Sequence, residues 1–343
     1  MTDVKIALVG EAYGEEEARF DRPFIGRAGQ QLDELLADAG ISRSQTYVSN
    51  VFNLRPDKND LSSLCCKRTE GDTLPGWPSL VRGLYLRREY KTEIDRLFRE
   101  LEEIKPNVVV LLGNTACWAV LQRSAISKIR GACTYSPLLP GIKFLPTYHP
   151  ANILRQYENR HVAVLDLMKA KRESEFPEIR RPLREIWMEP TLDDLQTFYE
   201  NHVLSSDLMA FDIETAHKQI TCIGFATSRE LAIVVPFHDP RKLGQNYWSS
   251  LGEEVVAWDW VQRYLAAPCR KVGQNTLYDI QYLWAAHGLT VTNYTEDTML
   301  LHHSLQPEAP KSLGFLGSIY TNETAWKPQR PKGKNEVKRE DSE

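Results

Sequence analysis

Leu8-Val9-Gly10-Glu11-Ala12-Tyr13-Gly14 and, a short acidic loop later, Arg22-Pro23-Phe24-Ile25-Gly26-Arg27-Ala28-Gly29-Gln30-Gln31 decide the fold of this chain. The aliphatic residues 4–9 predict a short buried strand. It stops at Gly10 and delivers Glu11 at its carboxyl end. Gly14 lets the backbone turn tightly. Phe24 lies between a proline and a glycine-rich turn, which predicts a loop and an exposed ring. A helix is expected from about Ala28, because Leu32, Leu35, Leu36 and Ala39 share one face and Gly40 stops it. A carboxylate and an aromatic ring at the mouth of an open α/β sheet suit a site for a flat ring.

Outward from this stretch, strands are expected at residues 46–51, 108–112 and 142–148. Residues 57–88 read as a long irregular loop, which is usually functional or mobile. Tyr90, Ile94, Leu97, Leu101 and Ile104 mark a helix that Pro106 ends, and Gly113-Asn114-Thr115 starts another. Strands alternating with helices predict an α/β sheet covered on both faces. Asn50 and His149 fall at strand ends, as Glu11 does. In such sheets ligands bind at the carboxyl edge.

Four blocks therefore stand in order: Gly10-Glu11-Ala12-Tyr13-Gly14, Pro23-Phe24-Ile25-Gly26-Arg27-Ala28-Gly29-Gln30, Val48-Ser49-Asn50 and Tyr148-His149-Pro150. Together they resemble the uracil-DNA glycosylase superfamily, most closely its family 4 type, over roughly the first half of the chain. The resemblance implies a three-layer αβα sheet of glycosylase type and a base flipped out of the DNA stack. It makes His149 the donor to the departing uracil anion at O2, and Glu11 the carboxylate that positions water and faces the cationic sugar. Asn50 would pair with uracil N3–H and O4 and mismatch cytosine, and Phe24 would stack on the ring. Tyr13 stands where the family usually has proline. It is expected in the uracil pocket, as a second wall, as a block at C5, or as a shift in substrate choice. Arg130 and Arg155 match family arginines near DNA, with phosphate contact or solvated surface charge as the two readings. Many relatives carry a four-cysteine iron–sulfur cluster. Here only residues 1–4 precede the first strand and Leu54 takes a cysteine's place, so no iron–sulfur cluster and no glycosylase cofactor is expected.

At 343 residues the chain has room for two domains with full cores. Its net charge of −4 confines any DNA surface to a local patch. Six cysteines are scattered with no CxxC, the usage of reduced thiols. No apolar run approaches a membrane span, so no membrane partner is expected. The reading is cytoplasmic, in a bacterial or virus-infected bacterial cell.

Residues 171–190 turn rich in charge and proline. The expected division is a glycosylase-like domain at 1–175, a linker at 176–190, a second domain at 191–326 and a disordered charged tail at 327–343. Residues 208–213, 220–226 and 231–237 predict an antiparallel meander. Helices are expected near 253–267, 276–287 and 297–305. Asp212 and Glu214 share one face of the first meander strand. Asn275 and Asp279 share one helical face. Asp297 is expected to be a helix N-cap. This set resembles the 3′–5′ proofreading exonuclease domain of family A DNA polymerases. The resemblance implies an α/β ribonuclease H-like fold, with Asp212, Glu214 and Asp279 holding Mg²⁺ or Mn²⁺ and Asn275 beside them. The Tyr-x-x-x-Asp that finishes such sites does not follow, so weak or absent 3′–5′ degradation is expected. The whole is expected to act on uracil-containing DNA, single-stranded or duplex, beside a separately encoded DNA polymerase. Two rivals are a non-catalytic uracil-DNA or DNA-end binder serving such a polymerase, and an exonuclease acting on RNA.

Overall fold

The structure is a computed structural model that describes residues 4–323 except His217 and Leu243. The expected tail at 327–343 lies outside the described residues. Two compact units are present: residues 4–180 together with 316–323, and Arg181–Phe315.

In the first unit β1 (Ile6–Ala12), β2 (Thr46–Phe52), β3 (Val108–Leu112), β4 (Thr134–Ser136) and β5 (Leu139–Thr147) form one sheet, ordered β2-β1-β3-β5-β4. The strands β2, β1, β3 and β5 are parallel, and β4 is an antiparallel edge. Side chains alternate across a strand, so Val109 and Leu111 enter one core while Val108, Val110 and Leu112 enter another. Helices α2 (Lys91–Ile104) and α3 (Asn114–Leu121) cover the first face with Ile94, Leu97, Leu101 and Trp118. Helices α1 (Arg27–Asp38) and α4 (Arg160–Glu173) cover the other with Leu32, Leu35, Leu36 and Leu167. Each such side chain contributes about 1.5–3 kcal/mol on burial. The result is a three-layer αβα sheet.

Some of the first unit departs from expectation. Within the supposed irregular loop, Cys65–Cys66 pairs antiparallel with Tyr85–Leu86. Trp118 Nε1 also donates to Pro78 O at 2.9 Å, anchoring that loop. Residues 316–323 were expected in the second domain but belong to the first unit. Two buried cations there need acceptors. Arg130 Nη1 donates to Ser318 Oγ at 2.9 Å, and Lys169 Nζ donates to Gly131 O at 2.7 Å and Thr321 O at 2.8 Å.

In the second unit β6 (Glu185–Trp187), β7 (Leu208–Ala216), β8 (Gln219–Ala226), β9 (Leu231–Pro236), β10 (Arg270–Gly273) and β11 (Tyr294–Asp297) are ordered β11-β10-β7-β8-β9-β6. The meander β7-β8-β9 is antiparallel, and β10 and β11 join parallel on the β7 side. That strand order is the ribonuclease H-like α/β fold. Its α-helices include α5 (Leu192–Phe198), α6 (Leu251–Ala266), α7 (Leu277–His287) and α8 (Thr298–Leu305). The expected linker is corrected at its end: β6 pairs parallel with β9, Leu231 opposite Glu185. Its three residues are too short for a periodic signal amid charge and proline.

Candidate active site

The parallel strands bring three chemistry-bearing residues to one sheet edge. Glu11 lies near the end of β1, Asn50 on β2 opposite Gly10, and His149 two residues past the end of β5. An ideal β-carbon on Gly10 would stand 2.3 Å from Asn50 Oδ1 and 2.4 Å from Phe24 Cζ. Only glycine lets the amide and the ring close over the strand end. The Phe24 and His149 ring centroids are 5.7 Å apart with 32° between planes. Asn50, Phe24 and His149 therefore form one cluster, with Phe24 common to both contacts.

His149 caps the short helix Pro150–Ile153. Its Nδ1 accepts the Ala151 N–H at 3.1 Å. A nitrogen that accepts carries no proton, so the neutral ring has its proton on Nε2. Burial pushes the His149 pKa below its usual value; Glu11 opposes that and Arg155 adds to it. Asn50 is 2% exposed, and its side-chain amide makes no hydrogen bond among the described residues. A side-chain amide offers two donors and one acceptor.

Phe24 was expected to be exposed; it is 4% exposed, because Gly10, Asn50 and His149 surround it. Its φ of +55° is a strained conformation for a side chain of this size. Arg43 holds it there, donating to Phe24 O at 2.8 Å and Pro23 O at 3.3 Å. Glu17 ties the two quoted blocks together, accepting Gly14 N–H at 3.1 Å and Gly26 N–H at 3.0 Å. Arg96 grips the strand end under the amide, donating to Asn50 O at 2.9 Å and Val51 O at 3.2 Å. Thr115 Oγ1 donates to Glu11 Oε2 at 2.5 Å. Sequence reading assigned a role to none of these four supporting side chains. Only Glu17 leaves a trace, an acid three residues after the helix-capping Gly14.

Tyr13 is buried, and its N–H donates to Leu54 O at 3.1 Å. Burial first, then Asp21, pushes its hydroxyl pKa up. Among the described residues no ring contact joins it to Phe24 or His149. Arg155 is exposed. Arg130 requires a correction. It is 2% exposed and forms a buried pair with Asp166, Nε to Oδ2 at 2.8 Å. Asp166 also accepts the Thr147 hydroxyl at 2.7 Å. Arg130 is therefore a structural cation, not a surface one.

In the second unit Asp212 and Glu214 are exposed on β7 either side of buried Ile213. Asp279 is buried in the first turn of α7. Burial and then Asp212 push its carboxyl up to about 7; at Asp212, whose side chain is exposed, partial desolvation beside the sheet and then Glu214 raise the carboxyl. Asp212 and Glu214 thus share one face of β7, and the charge of Asp212 is felt at Asp279. Among the described residues no three His, Cys, Asp or Glu side chains converge as a metal site. Asn275 is exposed, with φ +55°, just before α7. Asp297 caps α8, accepting Met299 N–H at 2.8 Å, and also accepts Thr276 N–H at 2.9 Å.

A family model described as the uracil DNA glycosylase superfamily matches residues 1–179, more than half of the chain. The chain belongs to the uracil-DNA glycosylase superfamily. Within this superfamily it is 35% identical over 175 residues to a type-4 uracil-DNA glycosylase of Thermotoga maritima, covering 49% of this chain and 77% of that protein. It is 26% identical over 176 residues to a DNA polymerase of Bacillus phage SP01, covering 50% of this chain and 16% of the polymerase. Beyond the glycosylase region, a solved structure of Escherichia coli RNase D is 17% identical with a TM-score of 0.30, covering 41% of this chain and only 34% of that one. So low a score adds nothing to the strand order already described.

Proposed function

We propose that the first unit excises uracil from DNA by hydrolysing the C1′–N1 bond. The observation that carries this reading is the His149 tautomer. With Nδ1 occupied by Ala151 N–H, the Nε2–H is the donor left for uracil O2 as the bond breaks. The bonding pair leaves with N1, so charge gathers on the uracil while the sugar becomes cationic. A neutral donor aimed at that oxygen stabilises the anion without a proton transfer. Glu11 faces the sugar and orients the water that adds at C1′; the water's proton passes to the carboxylate and then to solvent. The Asn50 amide reads N3–H and O4, Phe24 supplies the stacking face, and Arg155 meets a phosphate. Base flipping is required, because none of these groups reaches a base inside a duplex. The test is single-turnover release of free uracil from a labelled oligonucleotide, with cytosine and thymine oligonucleotides as controls. Retained release by Asn50→Asp with unchanged preference for uracil over cytosine would remove Asn50 from the reading.

The phage polymerase relative supports a second reading for the whole chain, in which the two units serve a DNA polymerase. In it the second unit handles DNA 3′ ends, with Mg²⁺ or Mn²⁺ as the cation its carboxylates suit. Among the described residues those acids do not converge as a set of three, so no hydrolytic step is assigned to them. A 3′-end degradation assay with each cation, comparing the intact chain with Asp212→Ala, tests this. Brisk digestion abolished by the substitution would establish a working nuclease.

A further inference from the structure

The turn between β3 and α3 occupies the middle of the sheet edge, since β3 lies between β1 and β5. It touches both reactive strand ends. Gly113 has φ +89°, a conformation that favours glycine. Its N–H donates to Thr147 O at 2.9 Å, and a β-carbon there would stand 3.0 Å from His149 Cβ. Two residues on, Thr115 is 4% exposed and donates Oγ1–H to Glu11 Oε2 at 2.5 Å. A hydroxyl-to-carboxylate bond of that length is charge-assisted and among the stronger kinds. It holds one oxygen of Glu11 and leaves Oε1 for the water.

We infer that Thr115 is a positioning residue for Glu11, fixing the carboxylate that orients the attacking water. The inference rests on the glycosylase reading above. Glu11 at a strand end has several rotatable bonds, and an unclasped carboxylate samples several rotamers. Thr115 is β-branched, buried and on a helix, so its own rotamer is restricted. The clasp therefore transfers rigidity from α3 to the one side chain at this sheet edge that must direct a small nucleophile. Thr115 is closed to solvent and spends its hydroxyl on Glu11. Its loss would affect the chemical step and not substrate binding.

The test compares the intact chain with Thr115→Val, Thr115→Ala and Thr115→Ser in single-turnover uracil release at saturating DNA. Apparent binding of the uracil oligonucleotide is measured alongside. Thr115→Val and Thr115→Ala should slow release roughly tenfold to a hundredfold, in line with misplaced catalytic groups, with binding unchanged. Thr115→Ser keeps the hydroxyl and should stay near the parent rate. In a Glu11→Ala background, Thr115→Val should cost nothing further, since the pair acts as one unit. A Thr115→Val rate equal to the parent, or an undiminished loss in the Glu11→Ala background, would overturn the inference while leaving the glycosylase reading intact. Absence of uracil release by the parent would overturn that reading, and this inference with it.

Discussion

Gly10→Ala tests the geometry of the cluster with a single methyl group. Its carbon would arrive 2.3 Å from Asn50 Oδ1 and 2.4 Å from Phe24 Cζ, both far inside contact distance. Ordinary contact begins at 3.4 Å, so amide and ring must each retreat by about 1 Å. Neither has slack: both are nearly closed to solvent, and Arg43 and Arg96 hold their backbones. Overpacking of this kind costs roughly 1–3 kcal/mol, a loss of roughly 2–12 °C in Tm for a unit of this size. A displacement of about 1 Å in groups that position a substrate costs up to about a hundredfold in rate. The assay is single-turnover uracil release across a range of DNA concentrations, with thermal unfolding in parallel. Gly252→Ala is the control, because its methyl would meet only Ser250 Oγ at 3.7 Å. Gly10→Ala with parent stability and parent uracil release would refute the placement of Asn50 and Phe24 over the strand end.

His149 titrates below its usual value of about 6.5, so between those two values the folded chain binds fewer protons than the unfolded one. Stability should therefore fall as pH drops through that window and flatten below it, and the advantage of the parent over His149→Gln should shrink; a pH-independent difference in Tm would contradict the burial of His149. Arg130→Ala leaves Asp166 buried without its cation, so unfolding should become about 3–5 kcal/mol easier; a fully stable variant with only weakened DNA binding would return Arg130 to the DNA surface. Arg155→Ala should weaken binding evenly across sequences and lower the salt slope of log K by about one, and an unchanged slope would show that Arg155 meets no phosphate.

Much of this architecture is legible in the residues. The valine and leucine runs of β1 and β3 are buried on both faces, and a continuous aliphatic run says so directly. Glu11, Asn50 and His149 stand at the ends of such runs, so strand prediction alone places them at one edge. What is not legible is support that crosses the chain. Thr115 meets Glu11 over 104 positions, Arg96 meets Asn50 over 46, and Arg43 meets Phe24 over 19. No local pattern encodes those partners. Arg130 was misplaced for a related reason: its match to a family arginine near DNA carries no trace of Asp166, 36 positions on, which pairs with it in the interior. Strands of three or four residues, such as β4, β6 and β10, lack the length for a period to emerge.

In the proposed reaction His149 Nε2–H stabilises the departing uracil anion. One measurement addresses it directly: the rate of free-uracil release from a 5′-labelled, uracil-containing oligonucleotide in EDTA, parent against His149→Ala. The account predicts release by the parent with alkali-labile abasic sites left behind, and a rate lower by on the order of a hundredfold in the variant. Equal rates in the two proteins, or no uracil released by the parent, would contradict it.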